Sequence, residues 1–191
     1  MDAPNDEAAR AARVLIDHDA RRQIHDAVLH YCRGIDRLHA PSVARAFHPG
    51  AVLNDYGPSP MTIEAFVEHA LSSLGNRFVA TQHRASNTLI AFDGDGPASG
   101  AASVETYVLA FHVEAAADSA TPGLMEGAQL HTFAGRYIDR FTEVDGAWRI
   151  SERTLRNDWT MVEPIERRMR GSYVAGGRGD GSDLVFATLT G

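Results

Sequence analysis

At Arg77 the apolar residues of this chain change their spacing, and that change limits the possible folds more than any other feature. Before it, apolar side chains recur every three or four residues, the period of a helix with one buried face. Ile24, Ala27, Val28, Tyr31, Ile35 and Leu38 mark a helix over residues 20–38. Residues 41–47 read as a short second helix with Pro41 in its first turn, where a missing N–H costs nothing. His48-Pro49-Gly50 stops it, and residues 51–56 read as a short strand. Thr62 is the expected N-cap of a third helix, with Ile63, Phe66, Val67, Ala70, Leu71 and Leu74 on its apolar face. After Arg77 the period becomes two. Residues 78–92, 100–113, 129–143 and 147–159 read as four long strands. Asp93-Gly94-Asp95-Gly96 and Val144-Asp145-Gly146 supply hairpin turns, and residues 115–127 read as a longer loop.

Helices followed by a strand meander imply an α+β fold with helices on one face of a sheet. The chain has 191 residues, the size of one domain. Residues 1–165 are expected to form that domain, with about ten frayed residues at its start. Residues 166–191 are read as a tail, mobile or docked on a neighbouring subunit. The tail carries Arg167, Arg168 and Arg170, then a glycine-rich stretch, then the apolar residues 184–189. The net charge of -7 argues against nucleic acid and anionic membranes, because phosphate binding needs clustered positive charge. The single cysteine, Cys32, rules out an internal disulfide. No apolar run approaches a membrane span, and the first twenty residues lack the pattern of a signal peptide. A cytoplasmic protein is expected.

Three stretches, YCRGIDRLHAPSVARAFHPGAVLNDYG, TQHRASNTLI and GRYIDRFTEVDGAWRISERTLRNDW, resemble the SnoaL-like branch of the NTF2 superfamily over roughly residues 20–160. The resemblance implies a cone-shaped α+β barrel, with the N-terminal helices on the concave face of a strongly curved, mostly antiparallel sheet. Its nearest functional branch includes scytalone dehydratase, bile-acid 7α-dehydratase and lindane dehydrochlorinase. That branch implies catalytic roles for Tyr31, Asp36 and His83, and Asp36 rests on the resemblance most. At 100° per residue Asp36 falls at the edge of the helix stripe, beside Cys32 and Leu29.

Alternation places Asn87 on the same strand face as His83, where it is expected to position substrate. His112 alternates with Val104, Val108 and Ala110 and matches a second histidine of the branch. Arg153 is a candidate for binding a polar oxygen, although simple alternation sets it opposite Trp148 and Ile150, so it needs a bulge. Trp159 is expected to line or close the pocket. No metal is expected, because no His or Cys pair has ligand spacing, and no cofactor motif is present.

These residues fit elimination chemistry. Histidine titrates near neutrality and suits removal of a weakly acidic C–H proton. A carboxylate fixes its tautomer, and a tyrosine polarises a carbonyl or leaving oxygen. The expected activity is a cofactor-free lyase, dehydrating or isomerising an apolar cyclic molecule such as a steroid, terpenoid or polyketide. The same fold equally carries non-catalytic binding and assembly proteins. An epoxide hydrolase, built on Asp139 with Arg136 or Arg140, is the rival enzyme. A homo-oligomer is expected, a trimer before a dimer.

Overall fold

The computed structural model describes residues 3–114, 127–165 and 176–189. The expected loop, save Gly127, and the arginines Arg167, Arg168 and Arg170 lie outside those residues. Helix α1 (Ala3–Arg37) begins far ahead of the apolar stripe. Its first half is alanine-rich, and the pairs Arg21–Asp17 and Arg22–Asp26 sit at i,i+4. Helix propensity carries α1 out to residue 3, and the ion pairs reinforce its middle. Only the second half buries a face, through Ala20, Ile24, Ala27, Val28, Tyr31, Cys32 and Ile35. No helix among the described residues is long and apolar enough to cross a membrane.

Helix α2 (Ala40–Arg45) is capped by His39, whose ring accepts from the Ser42 N–H. It lies close on α1 because Gly34 has no side chain: a Cβ there would stand 2.6 Å from Val43 N. Strand β1 (Phe47–Asn54) starts earlier than expected, taking in His48-Pro49-Gly50, and pairs with the two-residue β2 (Met61–Thr62). Pro49 is tolerated because that stretch skips regular pairing: the ladder with β6 jumps from Phe47 to Val52. Helix α3 (Ile63–Arg77) is capped by Thr62 as expected, with Ala65 N–H donating at 3.4 Å. Strands β3 (Phe78–Phe92), β4 (Ala101–Glu114), β5 (Gln129–Val144) and β6 (Ala147–Pro164) follow. The hairpin at Asp145-Gly146 uses positive φ at both residues, as its sequence predicted. A single turn, α4 (Val185–Thr188), ends the described chain.

The sheet is open and mixed, in the order β2-β1-β6-β5-β4-β3. Only the β1–β6 pair is parallel. Helix α1 touches both β6, in the middle of this order, and β3 at its end, so the sheet curls around the helix into an α+β cone. Tyr31, Ile35, Val104, Val108, Tyr137, Phe141 and Ile150 meet in the core between them.

Besides the register shifts at the starts of β1 and β3, three bulges decide which side chains face that interior. On β3, Ser86 and Asn87 together oppose one residue of β4, since Ala85 pairs with Val108 and Thr88 with Thr106. On β6, Ser151 is extra between Ile150 and Glu152, and Asp158 is extra between Asn157 and Trp159. Each bulge reverses the alternation beyond it.

Candidate active site

The core does not fill the cone. A cavity of about 380 Å³ remains between α1, α3 and the strands, with a mostly apolar wall. Tyr31 and Ile35 of α1 line it, as do Phe66, Leu74 and Phe78, and the sheet contributes His83, His112, His131, Phe133 and Tyr137.

Asp36 and His83 meet at its edge. The His83 Nδ1 lies 2.7 Å from Asp36 Oδ1, and the His83 backbone N–H donates to Asp36 Oδ2 at 2.9 Å. One carboxylate thus grips both the ring and the backbone of the same residue. Their side chains are 9% and 11% exposed, so solvent screens the contact little. The contact fixes the Nδ1–H tautomer and leaves Nε2 as the basic nitrogen. Asp36 reaches it from the last turn of α1, at the stripe edge where helical spacing had set it.

Tyr31 is 2% exposed, and its hydroxyl stands 3.3 Å from that of Tyr56. Burial holds both phenols well above the usual tyrosine range, so both keep their protons and stay donors. The sequence gives Tyr56 no mark beyond its place before the Gly57-Pro58 turn, where it reads as the end of a strand. Its role emerges only when the turn after β1 brings it over Phe66 and Tyr31.

His112 lines the cavity 5.2 Å from the His83 ring, as alternation along β4 predicted. Its Nε2 is buried without a hydrogen-bond partner. Burial, then the neighbouring His83, pulls its pKa down to about 4, so this imidazole is neutral at pH 7. Its neighbour His131 is tied to Glu114 at 2.7 Å and packs edge-on to Phe78.

Two expected contacts fall outside. Asn87 is exposed, because the Ser86–Asn87 bulge ends the face that His83 begins, and Leu89 is 69% exposed for the same reason. Trp159 is 52% exposed, because the Asp158 bulge turns it outward and gives its place on the cavity wall to Thr160. Arg153 has the bulge its inward position required, at Ser151. It does not reach the cavity, however. It is 0% exposed behind the Tyr31 and Tyr137 rings, 4.3 and 4.0 Å from their centroids. Its guanidinium donates twice to Asp139, at 2.7 Å each. The Asp–Arg–Asp arrangement of an epoxide hydrolase is not assembled. Arg136 serves Glu105 and Asp158, and Arg140 serves Asp93, all on the outer face.

Cys32 is buried and its thiol is pushed up to about 12, so it offers no nucleophile. Among the described residues, no three His, Cys, Asp or Glu side chains gather as a metal site.

The SnoaL-like domain family matches residues 17–154 of the chain. No curated protein matches it in sequence. Among solved structures, a candidate scytalone dehydratase from Novosphingobium aromaticivorans is 23% identical, with a TM-score of 0.62 over 87% of this chain and 97% of the other. A type 2 hexachlorocyclohexane dehydrochlorinase, LinA, is 17% identical, with a TM-score of 0.68 over 83% and 99%. The type 3 LinA of Novosphingobium barchaimii is also 17% identical, with a TM-score of 0.64 over 82% and 99%. At these identities the likeness is one of fold.

Proposed function

Because the chain belongs to the SnoaL-like domain family, whose fold it shares with a candidate dehydratase and with dehydrochlorinases, we propose that its cavity houses a cofactor-free lyase. The reaction is a dehydration, or a related elimination or isomerisation, of an apolar cyclic molecule such as a steroid, terpenoid or polyketide. The observation that carries this reading is the Asp36–His83 contact at the rim of an apolar cavity.

His83 Nε2 removes a proton from a carbon beside a carbonyl. Asp36 stabilises the imidazolium that forms. The electron pair of the broken C–H bond becomes the new C=C bond as the C–O bond breaks. The proton on His83 then passes to the departing hydroxide, which leaves as water. Tyr31, backed by Tyr56, donates to the substrate carbonyl and stabilises the charge that builds there. The protein acts as a homo-oligomer, a trimer before a dimer. Exposed apolar residues on the outer sheet face, Tyr107 and Ile138 among them, support that association.

The test is turnover of hydroxylated polycyclic ketones by the wild type, by His83→Ala and by Asp36→Asn. The wild type is expected to release water, and His83→Ala to lose turnover with its circular dichroism unchanged. Full activity in His83→Ala removes the mechanism. Recovery of a tightly bound, unaltered ligand instead favours a binding protein.

A further inference from the structure

The glycine-rich stretch near the C-terminus is built into the fold at the dyad. Residues 176–189 return to the same chain, against the corner where α1, α2 and α3 meet β3. Gly179 N–H donates to Arg37 O at 2.9 Å, Asp183 lies 3.5 Å from the Arg37 guanidinium, and Phe186 packs on the His39 ring at 4.2 Å. The glycines allow the tight turn: a Cβ on Gly177 would stand 2.2 Å from Ser182 Oγ.

Arg178 is the centre of this contact. Its Nε donates to Asp36 O at 3.2 Å, its Nη1 to Phe78 O at 2.6 Å, and its Nη2 to Leu74 O and Thr81 Oγ1 at 3.4 Å each. These acceptors belong to α1, α3 and β3. Two are carbonyls in the last turns of helices, Asp36 O of α1 and Leu74 O of α3, which also accepts the Phe78 N–H; the negative end of a helix favours a cation. One planar guanidinium therefore ties the residue that carries the carboxylate, Asp36, to the strand that carries the imidazole two residues beyond Thr81. A carboxylate that holds both the ring and the backbone of His83 tolerates little play between α1 and β3.

We propose that Arg178 is a positioning residue, which fixes the end of α1 against β3 so that Asp36 holds His83 in one tautomer and one orientation. The proposal rests on the dyad reading above, but the two can fail separately. Nuclear magnetic resonance reads the dyad without substrate, whereas turnover of His83→Ala reads its use.

The experiment follows the His83 Nδ1–H proton in the full-length, 15N-histidine-labelled protein. In the wild type this proton is expected as a downfield signal that exchanges slowly with water, and Asp36→Asn supplies the spectrum of a broken contact. In Arg178→Ala the signal is expected to vanish, or its exchange to accelerate at least tenfold, with the far-ultraviolet circular dichroism unchanged. Arg178→Lys keeps the charge but not the fork that spans three elements, and its exchange is expected to lie between the two. An unchanged signal in folded Arg178→Ala overturns the proposal. Should that variant not fold, an unchanged signal in Arg178→Lys overturns it.

Discussion

At the scale of single residues, the dyad follows from two local facts. Asp36 occupies the last turn of α1, and His83 lies early on β3, between its two register shifts, where the alternation is regular. Both were legible in the sequence, and so was Tyr31, centred in the helix stripe. Tyr56 was not legible, because a turn rather than a period brings it over the cavity. It provides a prediction: Tyr56→Phe leaves Tyr31 without its hydroxyl partner and lowers kcat, by less than the roughly 10²-fold that loss of the direct donor Tyr31 would cause. Steady-state kinetics on a substrate of the class proposed above check it, and an unchanged kcat would remove Tyr56 from the reaction. His112 provides a second, in pH dependence. Its folded pKa is near 4 and its unfolded pKa near 6.5, so the unfolded chain takes up this proton first as pH falls. Stability from this site is complete above about pH 6.5, declines between there and about pH 4, and levels off below. Thermal melts at pH 7.5 and 4.5 should show a smaller drop for His112→Leu than for the wild type; equal drops would refute the assignment.

At the scale of elements, the first three helices, the four long strands and their order were readable from the change of period; the single turn α4 was not. The bulges at Ser86 and Asp158 were not, since both look like any polar residue on a strand, whereas the one at Ser151 was required only by an inward Arg153. Asn87 and Trp159 left the site through two of them, and Arg153 entered the interior through the third. The Ser151 bulge has an energetic consequence. It aims Arg153 at Asp139 on the neighbouring strand, and both side chains are wholly buried. Burial raises the Asp139 pKa above the usual carboxylate range, and the charge and two hydrogen bonds of Arg153 oppose that rise. Asp139→Asn removes the countercharge and leaves a guanidinium in the core. The expected cost is about 3–5 kcal/mol, read from urea denaturation midpoints. A loss below about 1 kcal/mol would mean that the faces of Tyr31 and Tyr137 compensate the cation by themselves.

At the scale of the whole molecule, the cone explains why this sheet carries a cavity: α1 spans from β6 to β3 and the curved sheet leaves room between α1, α3 and the strands. The same curvature leaves an outer face that the chain does not cover. Tyr107 of β4 and Ile138 of β5 lie on it, 44% and 38% exposed, and Trp159 and Met161 continue along the far end of β6. Large apolar side chains grouped on one face are a common mark of self-association, and the ion pairs of Arg136 with Glu105 and Asp158 beside them suit the polar part of an interface. Light scattering after size exclusion is therefore expected to give a multiple of the 20.7 kDa chain mass, three copies in preference to two. Ile138→Arg sets a charge on that face without touching the cavity, and it should shift the particle toward one copy while the dyad signal persists. A wild-type particle of one chain mass would mean that the outer face is tolerated in water and that the cavity, lined by residues of α1, α3 and the strands, is complete in a single chain.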